Sequence, residues 1–477
     1  MSMMNQGNNM PSESEGLQRT LTNRQIQMLA IGGVIGVGLF YGSFTAVKIA
    51  GPGVLAAFII TGILATIVMR SLGEMTVEKP VAGSFSHYAS EFLGHQIGFL
   101  TSGMWWFYWV ATVMSELAAI GKLVQYWFPS FPAWIPGLIA LILFMLSNFL
   151  AVKVFGEIEY WFAVLKITAV VIFMAFGLLI ILTGIFNDGE VVGITNLWVH
   201  GGFLPNGWLG VLAVISLVVQ VYSGIETLAV EAGETHNPIE SMKKAFRSVT
   251  MRILVLYIGS IFIMLCVFPW NDLVKASASP FVLLFSKIGI PVAAGLVNLI
   301  IILSALSSCN TGIYGGSRML YSMAHKKFYS QKFTKLNRFH VPHIAVLATC
   351  LMISLGTLVT YLAPDNVYVW ITSASAFASL FTWGIILICE LVFRRQCNKE
   401  NKSLHFPVPF WPVVPIIGLA LLIIAVIAIA TSPLTRVSVY SGVIWLVMLM
   451  LYYNLKVKKD IGPEWNNIYV DKGASYD

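Results

Sequence analysis

The chain has 477 residues, 57% of them hydrophobic and only 11% charged, with a formal net charge of +7. An ordinary soluble domain carries about 25% charged residues, so most soluble classes are excluded at once. Apolar runs of about 20 residues recur along the whole length, each able to cross a hydrocarbon core as a helix. The short alternating segments of an outer-membrane barrel are not found. The composition is that of an all-α, multi-pass membrane protein.

In chain order, Met1 to Gly16 is polar, acidic and serine-containing. It has neither a basic n-region nor a small-residue cleavage site, which argues against a cleaved signal peptide. Residues 1–20 read as an N-terminal tail, 21–460 as the helical membrane domain and 461–477 as a C-terminal tail. Twelve transmembrane helices are expected, at 25–48, 53–72, 97–126, 133–152, 157–184, 208–233, 250–270, 282–305, 342–362, 367–393, 410–431 and 436–455. Thr22 and Gln25 make a capping box that starts the first helix. Prolines in "FHVPHI" and "HFPVPFWPVVP" precede spans nine and eleven, where a helix starts without losing hydrogen bonds. The longest polar connections fall at 73–96, 234–249, 306–341 and 394–409.

Span one holds "AIGGVIGVGLF", with glycines at Gly32, Gly33, Gly36 and Gly38. A dinucleotide fingerprint needs G-x-G-x-x-G after a strand in a soluble βαβ unit; here the spacing is reversed and lies inside a membrane span. Gly32 and Gly36 satisfy G-x-x-x-G, which permits close helix packing, but Gly33 and Gly38 lie on other faces. An unwound segment over Gly32, Gly33, Val34, Ile35, Gly36, Val37 and Gly38 accounts for all four. Its freed N–H groups suit a carboxylate and its freed C=O groups suit a cation. Irregular backbone at this depth is tolerated only where it is buried or lines a cavity. Span six holds a second glycine feature, "VVQVYSGIETLAVEAGE", with Ser223-Gly224 at mid-span. If spans 1–5 correspond to spans 6–10, both interruptions fall in the first helix of a half, the pointer to an inverted-repeat transporter.

Charged residues inside spans mark the other candidates, since each costs about 2.5–3.5 kcal/mol on insertion scales. Glu116 lies deep in span three, where substrate reading, a proton relay and a structural helix–helix bond are all open. Trp105, Trp106, Tyr108 and Trp109 precede it, as packing or an interface belt more than a ligand cage. Lys166 sits in "YWFAVLKITAVVIF", about ten residues from Glu157, roughly 15 Å by helix rise. It either snorkels to the interface or donates to carbonyls freed in span one. Glu226 follows the span-six break, as a structural bond to loose backbone or as a proton-coupling or gating group. "SALSSCNTGIYGGSRMLYSMA" is polar for the end of a span, and Arg318 marks a membrane boundary. The cysteines (Cys266, Cys309, Cys350, Cys389, Cys397) lack metal-ligand spacing and read as small core residues.

Twelve spans put both termini on one side. That side collects Arg19, Arg24, Arg70, Lys79, Lys153, Lys243, Lys244, Arg247, Arg252, six basic residues from Arg318 to Arg338, Arg394, Arg395, Lys399, Lys402, Lys456, Lys458, Lys459 and Lys472. These are 23 of the 29 Lys and Arg residues, so both termini are expected in the cytoplasm. The positive charge is thus mostly topology, and no nucleic-acid partner is expected.

"LQRTLTNRQIQMLAIGGVIGVGLFYGS", "AGPG", "MRSLGEM", "FGEIEYWFAVLKI", "VYSGIETLAVEAGETHNP" and the Ser304–Ala324 segment together resemble bacterial amino acid permeases. These form the amino acid transporter family of the amino acid–polyamine–organocation superfamily, and the likeness runs over about residues 17–460. The resemblance implies a leucine-transporter-like fold with a 5+5 inverted repeat (about 21–190 and 205–395) plus two peripheral helices (about 408–456). It implies a non-enzymatic cell-membrane permease importing amino acids by proton symport, with the proton as coupling ion, no other cofactor and no obligatory protein partner. An obligate exchanger of amino acids or amines and a transporter-like amino acid sensor are the alternatives. It implies substrate contacts from Gly32 to Gly38 and from Val221, Tyr222, Ser223 and Gly224, with Glu226 a gating or protonation-sensitive residue and Lys166 an ion-site surrogate. The family often has His at Gln25 and Thr at Val37. "MSELAA", with Glu116, is closer to the aromatic and proline-type permeases, a lean toward neutral substrates.

Overall fold

The computed structural model describes residues 35–460 apart from 82, 150–151, 188, 232–237, 277–278, 289–290, 364–366 and 434. Gly32, Gly33, Val34 and the capping pair Thr22 and Gln25 lie outside the described residues. Among the described residues the regular elements are all helices, without strands. A π-helical turn, Gly38–Gly42, leads into α1 (Ser43–Ala50). There follow α2 (Val54–Glu78), α3 (Ser84–Leu93), α4 (His95–Val124), α5 (Trp134–Ser147) and α6 (Val152–Thr183). The second half holds α7 (Gly207–Ala213), α8 (Ile215–Tyr222), α9 (Thr227–Glu231), α10 (Pro238–Val267), α11 (Trp270–Lys275), α12 (Pro280–Lys287), α13 (Pro291–His325), α14 (His343–Leu362) and α15 (Val367–Lys399). The chain closes with α16 (Val413–Thr431), α17 (Arg436–Tyr452) and the short α18 (Lys458–Asp460).

Among the described residues, nine helical stretches are long and apolar enough to cross a membrane, ten if the pair Gly207–Ala213 and Ile215–Ala229, bent by 42°, forms one span. Each of the twelve expected spans contains a helix, and the difference has two sources. Spans one and two run together as Gly38–Glu78, turning at Gly51, whose φ of +60° suits glycine. Span four is only the 14-residue Trp134–Ser147.

Prolines do start helices here: Pro342 and Pro412 stand immediately before α14 and α16, and Pro280 opens α12. The expected polar connections are shorter than composition suggested. Span eight, placed at 282–305, is instead α12 followed by α13, and α13 runs on through the polar Ser304–Ala324 segment to His325. The reason is packing. Small residues on that face let α13 lie against α4; a Cβ at Gly312 would stand 2.4 Å from Val113 and 2.9 Å from the Trp109 ring. The hydroxyls are absorbed locally, as where Ser317 donates to the Tyr314 carbonyl at 3.0 Å.

The helix α4 is the axis of the molecule, packed against α3, α5, α13, α14 and α15. Its most apolar window is 78% buried, against 28% for α16 and 22% for α17, which therefore lie at the periphery. Their outward residues, among them Ile416, Ile423, Ile427, Ile444 and Leu451, are exposed and apolar, as lipid-facing surfaces require. The five cysteines are buried and unbridged.

One end of the bundle is tied by charge. Glu74 of α2, fully buried, accepts from Arg394 Nη1 at 2.8 Å and from the Val408 backbone N–H. Glu78 accepts from the His405 N–H, and Arg70 donates to the Pro407 carbonyl at 2.7 Å with its guanidinium 3.5 Å over the Phe406 ring. In α3, burial and then the nearby Lys326 and Lys79 push the His87 imidazole down to about 3. Its 3.6 Å approach to Glu91 is therefore no ion pair at neutral pH.

Helix packing supplies the first prediction. A Cβ at Gly121 would stand 1.9 Å from the Ala133 carbonyl oxygen, a backbone atom, whereas one at Gly295 meets nothing nearer than 3.5 Å. Gly121→Ala is expected to cost about 1–3 kcal/mol, seen as a lower melting temperature in detergent, with Gly295→Ala near the parent value.

Candidate functional site

Among the described residues, the first stretch of helix begins inside the protein. Ile35 and Gly36 are buried and non-helical, and helix starts at Val37 through the π turn. A helix start leaves N–H groups without intrahelical partners, and water cannot satisfy them at this depth. The Val37 N–H donates to both oxygens of Glu116, at 3.2 and 3.1 Å. Gly36 makes this approach possible, because a Cβ there would stand 2.4 Å from Glu116 Oε1 and 2.7 Å from Ser308 Oγ. The freed Ile35 carbonyl accepts from Ser304 Oγ at 2.9 Å, and the Phe40 carbonyl accepts from Ser279 Oγ at 2.7 Å.

The second interruption falls at Ser223-Gly224. Helix α8 ends at Tyr222; Ser223 is extended (φ −67°, ψ 151°) and Gly224 takes φ +96°, before α9 begins at Thr227. Glu226 is fully buried, and its Oε2 accepts from the Gly224 N–H at 3.1 Å and from Trp383 Nε1 at 3.3 Å. The carboxylate thus bonds loose backbone as an acceptor and ties the break to α15.

Between the two interruptions lies a cavity of about 20 Å³, room for a water or two. Its wall joins Gly36, Val37 and Gly38 to Glu116, Val221 and Ser223. Five described candidates, Lys166 among them, stand elsewhere. Ile35 is buried beside the wall, and Gly224 and Glu226 lie behind it. Tyr222 turns away, its hydroxyl donating to the Phe58 carbonyl in α2 at 3.1 Å and its ring 5.3 Å from that of Tyr257.

Lys166 is only 1% exposed, which settles against snorkelling. The carboxylates that act on it are Glu159 and Glu116. The sequence does not single out Glu159, because it lies two residues from Glu157, where the expected span begins. It is 2% exposed and accepts from Ser307 Oγ at 2.5 Å and Asn310 Nδ2 at 3.0 Å; Asn310 Oδ1 in turn accepts from Asn148 Nδ2 at 2.9 Å. This knot fastens α6 to α13 and to the end of α5. Also missed were Thr112, Gln220, Ser308 and Tyr368, which complete the polar wall of the cavity. The signal was available for Gln220, a carboxamide in an otherwise apolar helix, where burial without a partner is costly.

A helix broken at Ser223-Gly224 and the non-helical Ile35-Gly36 meet at a buried polar cavity, and the surrounding bundle of membrane-length apolar helices defines a multi-pass membrane protein. The profile of the family described as "Amino acid permease" matches residues 25–466, and the chain belongs to that family. The chain is 44% identical over 446 residues to the uncharacterized amino acid permease YtnA of Bacillus subtilis (strain 168), covering 93% of this chain and 96% of that one. It is 38% identical over 437 residues to the probable threonine/serine transporter YbxG of the same organism, covering 92% and 94%. It is 36% identical over 444 residues to the aromatic amino acid transport protein AroP of Escherichia coli O6:H1, covering 93% and 97%. The names these relatives carry are all those of permeases or transporters.

Removing the Glu159 carboxylate leaves Ser307 and Asn310 without their acceptor and strips Lys166 of a negative neighbour. Glu159→Ala is expected to cost about 1–3 kcal/mol. Glu159→Gln, which keeps a carbonyl acceptor, should cost clearly less by thermal unfolding in detergent.

Proposed function

We propose that the protein is a secondary active permease of the cell membrane that imports neutral amino acids by proton symport with alternating access. The observation that carries this reading is the Val37 N–H held by the Glu116 carboxylate. A freed N–H at a helix start is where the α-carboxylate of an amino acid binds. Here one of the protein's own carboxylates already occupies it. Two ionised carboxylates at contact distance repel, so one of them takes up a proton. Substrate therefore enters the slot as Glu116 is protonated, and the proton travels with it. The groups facing Glu116 are Val37, Lys166 from α6, Tyr108 on its own helix, Tyr257 from α10, Cys309 from α13 and Tyr368 from α15. Lys166 is the one cation among them and stands where a metal coupling ion would otherwise sit.

In this reading Gly32 to Gly38 supply backbone contacts to the substrate and Val221 to Gly224 complete the α-amino site. Glu226 acts as a gate, because it anchors the Gly224 N–H on which the second break depends. Ten core helices form a 5+5 inverted repeat over about 21–190 and 205–395, with two peripheral helices at about 408–456 and both termini cytoplasmic. The paired breaks and the shallow burial of α16 and α17 support this arrangement. The relatives differ in the substrates their names carry, threonine and serine for one and aromatic amino acids for another, so family membership leaves the side chain open.

The test is uptake of labelled amino acids into proteoliposomes with an acid exterior, at two external pH values. Wild type should accumulate substrate, faster at the lower pH. Glu116→Gln should lose gradient-driven accumulation by about tenfold or more yet still exchange external for internal substrate. Gradient-driven accumulation by Glu116→Gln, or wild-type uptake that depends only on preloaded amino acid, would overturn proton symport.

A further inference from the structure

The cavity holds a second polar system that the carboxylate slot does not use. Gln220 lies in α8 one turn before the Ser223-Gly224 break. Its Nε2 donates to Thr112 Oγ1 of α4 at 3.0 Å, and its Oε1 accepts from Ser375 Oγ of α15 at 2.5 Å. Gln220 and Thr112 both line the cavity. So do Ser308 and Trp109, each buried, whose Oγ and Nε1 have no hydrogen-bond partner among the described residues. A carboxamide offers two N–H donors and an oxygen with two lone pairs. Thr112 engages one donor and Ser375 one lone pair, which leaves one donor and one acceptor on the same group.

Resting on the permease reading, we infer that Gln220, held by Thr112 and Ser375, selects substrates whose side chains carry an uncharged hydroxyl or carboxamide. A cavity of about 20 Å³ must widen to admit an amino acid, which parts α4 from α8. A substrate hydroxyl or amide can then both donate to Gln220 Oε1 and accept from Nε2, replacing what the parting removes. An aliphatic side chain in the same space offers nothing in place of the Gln220–Thr112 bond that the parting removes. Sites built to hydrogen-bond a substrate group reject the analogue lacking it far more strongly than an apolar pocket rejects a wrong shape. The one carboxylate in the cavity wall, Glu116, faces the Val37 N–H, so no charged partner is offered to the side chain. A purely structural clamp of α4, α8 and α15 would affect stability without discriminating between substrates of one shape.

Threonine and valine have nearly the same shape and differ by the hydroxyl, which makes them the probe. Initial uptake of labelled L-threonine and L-valine into wild-type proteoliposomes, acid outside, should favour threonine by about tenfold or more in kcat/KM. Gln220→Met should bring the ratio within about threefold, and Ser375→Ala, which removes the donor to Oε1 together with that hydroxyl's approach to the Thr372 carbonyl, should give an intermediate ratio. Ser375→Ala keeps the measurement decisive if Gln220→Met fails to fold. Equal handling of threonine and valine by wild type, or an unchanged ratio in both variants, overturns the inference. Wild-type uptake of none of the twenty amino acids would instead overturn the permease reading on which it rests, so the two failures are told apart.

Discussion

A backbone N–H in the middle of a membrane has no water to turn to, and most of this site follows from how one such group is satisfied. Among the described residues the first stretch of helix starts at Val37 within the protein, and a carboxylate from the central helix accepts from its N–H. That single contact fixes the height of Glu116, and with it the register of α4 against the neighbouring helices. It also gives Gly36 a defined task. The glycine is there because a side chain would occupy the space through which Glu116 reaches the backbone. The glycine-rich run is thus as much a passage for a carboxylate as a place where the helix comes apart.

The buried charges form a graded series. Glu116 is bound to backbone, Glu159 to the side chains of Ser307 and Asn310, and Lys166 lies within the influence of both carboxylates. Breaking a buried pair by removing one partner is more costly than never having built it, so none of the three can change alone. Glu226 stands apart from this series. Its partners are Gly224 and Trp383, and it links the second interruption to α15 by hydrogen bonds.

Much of this was legible in the letters. Four glycines in an apolar run and Ser223-Gly224 at mid-span announced the two interruptions, because glycine and loose backbone are costly there without a use. Glu116, Lys166 and Glu226 stood out because charge inside a span is costly. What the letters withheld was pairing and direction. Glu159 sits two residues from Glu157, on another face of the same helix, and periodicity alone does not say which face is buried. Tyr222 adjoins the break, yet its ring turns toward α2. The end of α13 was misjudged because serines and glycines that read as a polar connection are packing residues against α4. Hydropathy reports the environment a residue prefers, and here neighbouring helices supplied it.

The tie at Glu74 carries a consequence for how the molecule is made. Its two partners, Arg394 and Val408, lie 320 and 334 residues further along the chain. During synthesis α2 enters the bilayer long before either exists, so its buried carboxylate waits through most of translation for the groups that complete it. That end of the bundle is therefore sealed late, by the segment that leads into the peripheral helices. The end of α15 and the connection that follows it supply the last stitch that holds an early helix in place.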